Sequence, residues 1–592
     1  MAMTATTAKA YRSPSLVLLA FDWPDGESRN DFLGFAIRRA PGFLDLATGN
    51  RPASDWLPNR ISFGGPPAAG QPDFPSNVAP IQKFMWWDAR LEGIDPGQPL
   101  TYEVSAVCGP SNAPRVEPGT MTSLQVALPD HVEGGIGTWF NRAVMSSQAF
   151  SRKVRALGLR PGQPPTQAQE LDLRSWLANG MEKPVPDFIA AAQDSLVGAI
   201  YHLNDSLWIV PALKHQMTKA DIGLVYDSVK HKKNGQTLPN ESQSAIDALP
   251  SVRFFGRDHT NIMHNKFLVR GTKLLDGSGS KPEALTCGSA NYTTSGLTSQ
   301  ANLIHTFQSG PLAELYWQRW ALLKGNPARK KTKEGAGWSN TVSVGDARIR
   351  VFFSPEPGNP GDPSISMETI VQAVDGAQSS VIFCLFMPTD QALLDACFSV
   401  GDAGKMMFGL VNRIPDDPPA LHRTSTGKIP ADEIAALEIY HRSQKDMDTI
   451  DARHFNASDL PGGFELEMNV FPGTNPPPYP PVIIHHKFVV IDAETVSPTI
   501  YTGSANMSGN AIFGNDENLL EIKGSARLSQ IYLAEFLRLY EHYRARAAYF
   551  RWKESGGAPA TFSLQPNRSW ADRHYAAGSP EYKARLHMLG LT

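Results

Sequence analysis

The sequence predicts a multidomain protein: an N-terminal all-β sandwich followed by two pseudo-symmetric α/β halves, each a mixed sheet flanked by helices. Three observations predict it. A chain of 592 residues is too long for one small module, holding about three to five domains by length alone. From residue 11 to about 125, short apolar runs alternate with Pro and Gly turns. Beyond about 135, helices and strands alternate, and one helix–strand–helix–strand pattern occurs twice.

Composition narrows the class. With 41% hydrophobic and 19% charged residues, the chain lacks the bias of a disordered, coiled-coil or collagen-like polymer. Lys plus Arg number 55 against 58 for Asp plus Glu, so no global field steers the protein onto polyanions; nucleic-acid contact would have to be local. Cys108, Cys287, Cys384 and Cys397 show no CxxC or disulfide framework and read as buried reduced thiols. The apolar run Leu16 to Phe21 stops at Asp22, too short for a signal or a membrane span, and predicts a cytoplasmic protein.

The first element group, residues 1–130, comprises SLVLLAF, FLGFAIRRA, RISFGG, QKFMWWDARL, LTYEVSAVCG and SLQVAL, read as strands of a sandwich. Trp86, Trp87 and the strand Tyr102 to Val107 give it a resemblance to fibronectin type III and immunoglobulin-like modules, which implies support or targeting and an unidentified partner. Residues 131–335 form the first α/β half and 336–555 the second. In each, an amphipathic helix leads to an apolar strand (about 195–202 and 379–387), a second helix and another apolar strand (about 221–226 and 405–411). Strands without polar alternation imply sheets covered on both faces. The polar, basic segment 325–340 reads as a solvated linker. Proline-rich 471–481 reads as a loop, beside the active site or on plain surface, and 556–592 as a tail packing on the body.

Within the halves one motif set recurs. His264-x-Lys266, an apolar strand and Gly288-Ser289-Ala290-Asn291 are matched by His485-x-Lys487, an apolar strand and Gly503-Ser504-Ala505-Asn506. A lone HxK means little, as His231-Lys232-Lys233 illustrates; recurrence of the whole set at equivalent places carries the signal. Alternation along an extended chain puts His and Lys on one face. Lysine offers a point charge to phosphate oxygens, serine and asparagine offer neutral donors, and imidazole serves as nucleophile or general acid. Two converging copies would flank one phosphorus, as in-line displacement requires. Two lysines and amide donors would stabilise the charge, so no metal and no cofactor are expected.

These paired motifs resemble the phospholipase D superfamily over roughly residues 135–550. The resemblance implies a phosphodiesterase working through a covalent phosphohistidine. It implies catalytic roles for His264, Lys266, Asn291, His485, Lys487, Asn506 and Glu517, substrate-binding roles for Ser289, Ser504, Gln300 and Asn302, and a supporting role for Asp492. The second copy keeps the HxKx4D aspartate as Asp492, whereas the first has Gly271 there. Tyrosyl-DNA phosphodiesterases of the same superfamily also lack that acid, so activity is expected to survive. Glu517, eleven residues after Asn506, matches the carboxylate expected behind the imidazole of the opposite half, His264; the first half has neutral Gln300 or Asn302 there. This makes His264 the nucleophile and His485 the general acid.

The substrate is narrowly expected to be a phospholipid headgroup ester, with peripheral membrane contact and function as a monomer. Phe254, Phe255, Tyr479, Met507 and Phe513 could rim a headgroup pocket, or simply pack. The alternative is a nuclease using KHKK (230–233), ARKKTK (328–333) and RLYEHYRARAAYFRWK (538–553), the last also read as a helix with a buried aromatic stripe. A third reading is a non-catalytic phosphate-binding scaffold.

Overall fold

An apolar run with no polar face must be covered twice, and Leu16–Asp22 is buried at every position in the computed structural model. Leu16, Leu18 and Ala20 enter the central core of the α/β body. Val17, Leu19 and Phe21 face a second core with Phe35, Ile37, Tyr102 and Val104. The structure describes residues 3–68, 70–145, 147–160, 163–230, 232–233, 236–424, 428–445, 447–453, 460–467, 470–471, 483–557 and 562–591.

The N-terminal region holds two antiparallel sheets sharing that second core. One runs Thr7–Ser13, Leu16–Asp22, Met85–Asp88. The other runs Thr122–Ala127, Pro99–Cys108, Phe32–Ala40, Asp55–Trp56, with Arg115–Val116 on the edge of Pro99–Cys108. Two details differ from expectation. RISFGG is a turn closed between Ser62 and Gly65, because paired glycines follow an otherwise short apolar run. The first strand begins at Thr7, where small polar residues hide its pairing with Leu16–Asp22.

The body is built on two eight-stranded sheets. The first runs Val132–Glu133, Ile136–Phe140, Leu303–Phe307, Lys281–Gly288, Lys266–Thr272, Ser195–Ile200, Asp221–Asp227, Arg253–Arg257. The second runs Val342–Val344, Ala347–Ser354, Glu517–Lys523, Thr499–Gly503, Lys487–Ile491, Ser380–Leu385, Met406–Val411, Thr449–Asp451. Strand for strand, the pairing senses agree: antiparallel through the first five junctions and parallel in the last two.

Alternation explains how these sheets pack. Val197, Ala199, Ile382 and Cys384 point into a common core with the helices Gly310–Leu323 and Ala526–Glu554, while Leu196, Ile200, Val381 and Phe383 point outward to separate helical layers. The inner faces of both sheets therefore share one core, which fixes their relative placement. All four cysteines are buried free thiols. No helix of the described residues is long and apolar enough to cross a membrane.

The segment expected as a solvated linker is docked. Thr332 is buried, Arg329 reaches Asn261 Oδ1 at 2.6 Å, Lys333 Nζ donates to Gly358 O at 2.8 Å, and Trp338 packs on Phe352. Arg329 and Lys333 are spent on a neighbouring amide and backbone carbonyl, which composition does not reveal, while Lys330 and Lys331 stay exposed. The C-terminal tail packs on the N-terminal sheets: Tyr575 Oη donates to Trp23 O at 2.7 Å, and Arg585 meets Asp22 at 2.8 Å. The proline-rich segment, except Phe471, lies outside the described residues, with Tyr479 in it.

Candidate active site

Each HxK lysine opens a strand, Lys266–Thr272 or Lys487–Ile491, and the preceding histidine sits where its chain crosses to the other half. Met263 forms a parallel bridge with Asp516, and Ile484 with Ala301. His264 N donates to Asp516 O at 2.9 Å, and His485 N to Ala301 O at 3.0 Å. The approach is held from behind by acceptors the motif search missed: Asp227 Oδ1 takes Met263 N at 2.7 Å, and Asn412 Oδ1 takes Ile483 N and Ile484 N at 2.8 and 3.0 Å. The recurring strings GLVYD (223–227) and GLVN (409–412) carried that signal.

This reciprocal crossing gives each imidazole a support from the opposite half. His264 Nδ1 lies 2.8 Å from Glu517 Oε2, which also accepts Ser504 Oγ at 2.7 Å; Asn515 Nδ2 donates to Oε1 at 3.1 Å. His485 Nδ1 lies 2.9 Å from Asn302 Oδ1, which accepts Ser289 Oγ at 2.8 Å. Of the two neutral candidates, Asn302 therefore stands in the place of Glu517. Gln300, expected to bind substrate, has a buried Oε1 with no hydrogen-bond partner among the described residues. The Ser289 and Ser504 hydroxyls, expected as substrate donors, are buried and donate to the supports Asn302 and Glu517.

Lys266 Nζ and Lys487 Nζ each donate to the carbonyl of their own histidine, at 2.5 and 2.7 Å. An ammonium has three donors, so each keeps capacity for an anion. Asn291 and Asn506, half-buried, each have an Oδ1 with no hydrogen-bond partner among the described residues. Tyr201 meets the His264 ring edge-on at 4.8 Å and lies 5.0 Å from Lys266 Nζ; Phe386 stands 5.7 Å from both the His485 ring and Lys487 Nζ. These two rings also escaped the motif search, although both directly follow the apolar strand of their half.

Burial dominates the electrostatics. Both imidazoles are held well below the usual histidine range, by desolvation first and then by Lys266 and Lys487, each of which acts on both rings. Desolvation brings Lys266 down to about 7 against the opposing charges of Glu517 and Asp227, and holds Lys487 well below the usual ammonium range. Desolvation also pushes Glu517 up to about 7, opposed by Lys266. Two buried lysines, each acting on both imidazoles, favour a negative charge beside the rings.

Asp492 lies at the far end of its strand from the site. With φ of 54° it turns back so that its carboxylate accepts the amides of Gln378, Ser379 and Ser380, the last two at 2.7 and 3.1 Å. The first half makes the same join from the other side: Asp194 Oδ1 accepts Lys273 N at 2.6 Å, and Ser195 Oγ donates to Gly271 O at 2.9 Å. Gly271 sits at a register shift where a Cβ would come 2.2 Å from Lys281 O, so no side chain fits.

The other candidates divide. Met507 and Phe513 are buried in the outer core of the second half, Phe254 packs against that of the first, and Phe255 packs against Trp320. In RLYEHYRARAAYFRWK, Tyr540, Tyr543 and Tyr549 are buried, Arg544 pairs with Glu541 and Glu581, and Arg546 with Glu467. Its cations are thus engaged internally. Of KHKK, His231 lies outside the described residues, whereas Lys232 is exposed, as are Lys330 and Lys331. No metal-holding cluster of His, Cys, Asp or Glu occurs among the described residues.

Residues 370–540 match the family model described as cardiolipin synthase, PLD-like domain. Among solved structures, the chain is similar to phosphatidylserine synthase of Haemophilus influenzae Rd KW20, with 14% identity and a TM-score of 0.40 over 67% of this chain and 90% of that one. It is similar to the phospholipase D family member Nuc of Salmonella typhimurium, with 18% identity and a TM-score of 0.19 over 24% and 85%. It is also similar to yeast tyrosyl-DNA phosphodiesterase, with 8% identity and a TM-score of 0.31 over 58% and 88%. No curated protein matches.

Proposed function

We propose that this protein is a phosphodiesterase of the phospholipase D type, acting through a phosphohistidine on His264. In this reading the two sheets are pseudo-symmetric halves about an axis between the imidazoles, and the N-terminal sheets are a fibronectin- or immunoglobulin-like sandwich bracing them. One observation carries the reading: each buried imidazole is backed by the other half, one by a carboxylate and one by an amide, between two lysines.

With Nδ1–H donated to Glu517, His264 presents the Nε2 lone pair. That pair forms a bond to phosphorus as the bond to the leaving oxygen breaks, and His485 Nε2–H gives that oxygen its proton. A phosphodiester bound between the lysines supplies the negative charge that lets His485 take up the proton it then donates. An amide stabilises an imidazolium less than a carboxylate does, which suits His485 to proton release and His264 to the cationic phosphoramidate. In the second step His485 removes a proton from water, a new P–O bond forms, and the N–P bond breaks. Lys266, Lys487, Asn291 and Asn506 hold the phosphoryl oxygens throughout.

Phospholipid headgroup release is the favoured activity, since Arg538, Arg544 and Arg546 of the basic helix that spoke for nucleic acid are paired with internal carboxylates. Release of choline from phosphatidylcholine liposomes, beside nicking of a plasmid, tests it. Lys487→Ala should lose about two orders of magnitude of whichever activity is present. Binding of phosphate analogues with neither activity would leave the scaffold reading standing instead.

A further inference from the structure

The mouth of the site is unequal in a way the reaction does not require. Ile200 pairs with Lys266 as Leu385 pairs with Lys487, so Tyr201 and His202 correspond to Phe386 and Met387. Met387 is 58% exposed; in its place the first half carries an imidazole.

Two contacts tie that residue to the site. Its ring stacks on Tyr201 at 3.7 Å, and Tyr201 in turn meets His264. The His202 carbonyl accepts the amide of Tyr292, the residue after Asn291, at 3.1 Å. A distant loop orients the ring: Glu241 Oε2 lies 3.1 Å from Nδ1. That loop is pinned on both sides of Glu241, by Asn240 Nδ2 donating to Asp227 O at 2.8 Å and by Ser242 Oγ accepting Leu203 N at 3.0 Å. With Nδ1 on a carboxylate, Nε2 is the nitrogen free for a ligand, and the side chain is 20% exposed.

We propose that His202, oriented by Glu241, binds the half of the substrate that stays on phosphorus, its Nε2 accepting a hydroxyl of a sugar or glycerol. The assignment rests on the phosphodiesterase reading above. In-line attack from His264 sends the leaving oxygen toward His485, Phe386 and Met387, away from His202. A group beside the nucleophile can reach only what remains attached.

Three chromogenic esters sharing one leaving group test this: p-nitrophenyl thymidine 5′-phosphate, sn-glycero-3-phospho-p-nitrophenol and bis(p-nitrophenyl) phosphate, whose retained half has no such hydroxyl. His202→Ala should lower kcat/KM roughly tenfold on the first or second ester, mainly through KM, and leave the third within about twofold. The ester affected tells sugar from glycerol. Glu241→Gln should give a smaller loss with the same selectivity, and His202→Gln, which keeps an acceptor, should recover part of it. If His202→Ala does not fold, the selectivity of Glu241→Gln and His202→Gln decides. Equal losses on all three esters, or none, would overturn the assignment, whereas a wild-type protein inert on all three would sink the phosphodiesterase reading itself.

Discussion

Glu517 and Asn302 occupy matching positions, yet only one can carry a charge. Burial brings both Lys266 and Glu517 to about 7, so kcat/KM is expected to depend on pH on the alkaline side. Lysine must be protonated to hold phosphate, so kcat/KM of wild type should fall as pH rises above about 7. Because the Glu517 charge raises Lys266, Glu517→Gln should move that fall to lower pH, besides lowering the rate about 10- to 100-fold; a pH profile checks both. Rapid-quench peptide mapping should find phosphoryl label on His264, and His485→Asn should slow turnover by about two to four orders of magnitude. The HxK and GSAN residues were legible because they recur. Asn302 and Gln300 could not be separated by sequence, since residues two apart share a face of an extended chain. His202 and Glu241 were invisible because no counterpart repeats them.

The strand ends and the crossing segments are where the halves differ most. Restoring the aspartate with Gly271→Asp should not raise activity. It should lower the melting temperature, because the new Cβ meets Lys281 O and overpacking costs about 1–3 kcal/mol. At the crossing, Asp516 is fully buried between Arg257 at 2.8 Å and Arg319 at 3.1 Å, both from the first half. Removing its charge by Asp516→Ala leaves two buried guanidiniums, and denaturant melts should show a loss of about 3–5 kcal/mol. The helices and strands of the body were readable from their apolar periods. The exchange of Asp492 for Asp194 was not, because a carboxylate can close the same turn from either strand and only pairing register reveals which.

The tail, the N-terminal sheets and the last long helix of the body are joined by buried charge. Glu541, held at about 2 despite its burial, meets Lys83 at 2.5 Å and Arg544 at 3.2 Å. Its folded pKa lies below the ordinary value of 4.5, so its contribution is present above that pH and is lost as pH falls toward 2. The shift corresponds to on the order of 3 kcal/mol. Acid unfolding followed by circular dichroism should steepen in that window, and Lys83→Ala should cost most near neutrality and least near pH 2. Sequence showed a β region and a tail but not their contact, since pairs such as Asp22 and Arg585 leave no periodic trace. The crossing of chains between halves has a final consequence for mutation. Each imidazole depends on a support carried by a distant stretch of the same polypeptide. Because Glu517 backs His264 and Asn302 backs His485, a lesion at either support will first be felt by the imidazole of the other half.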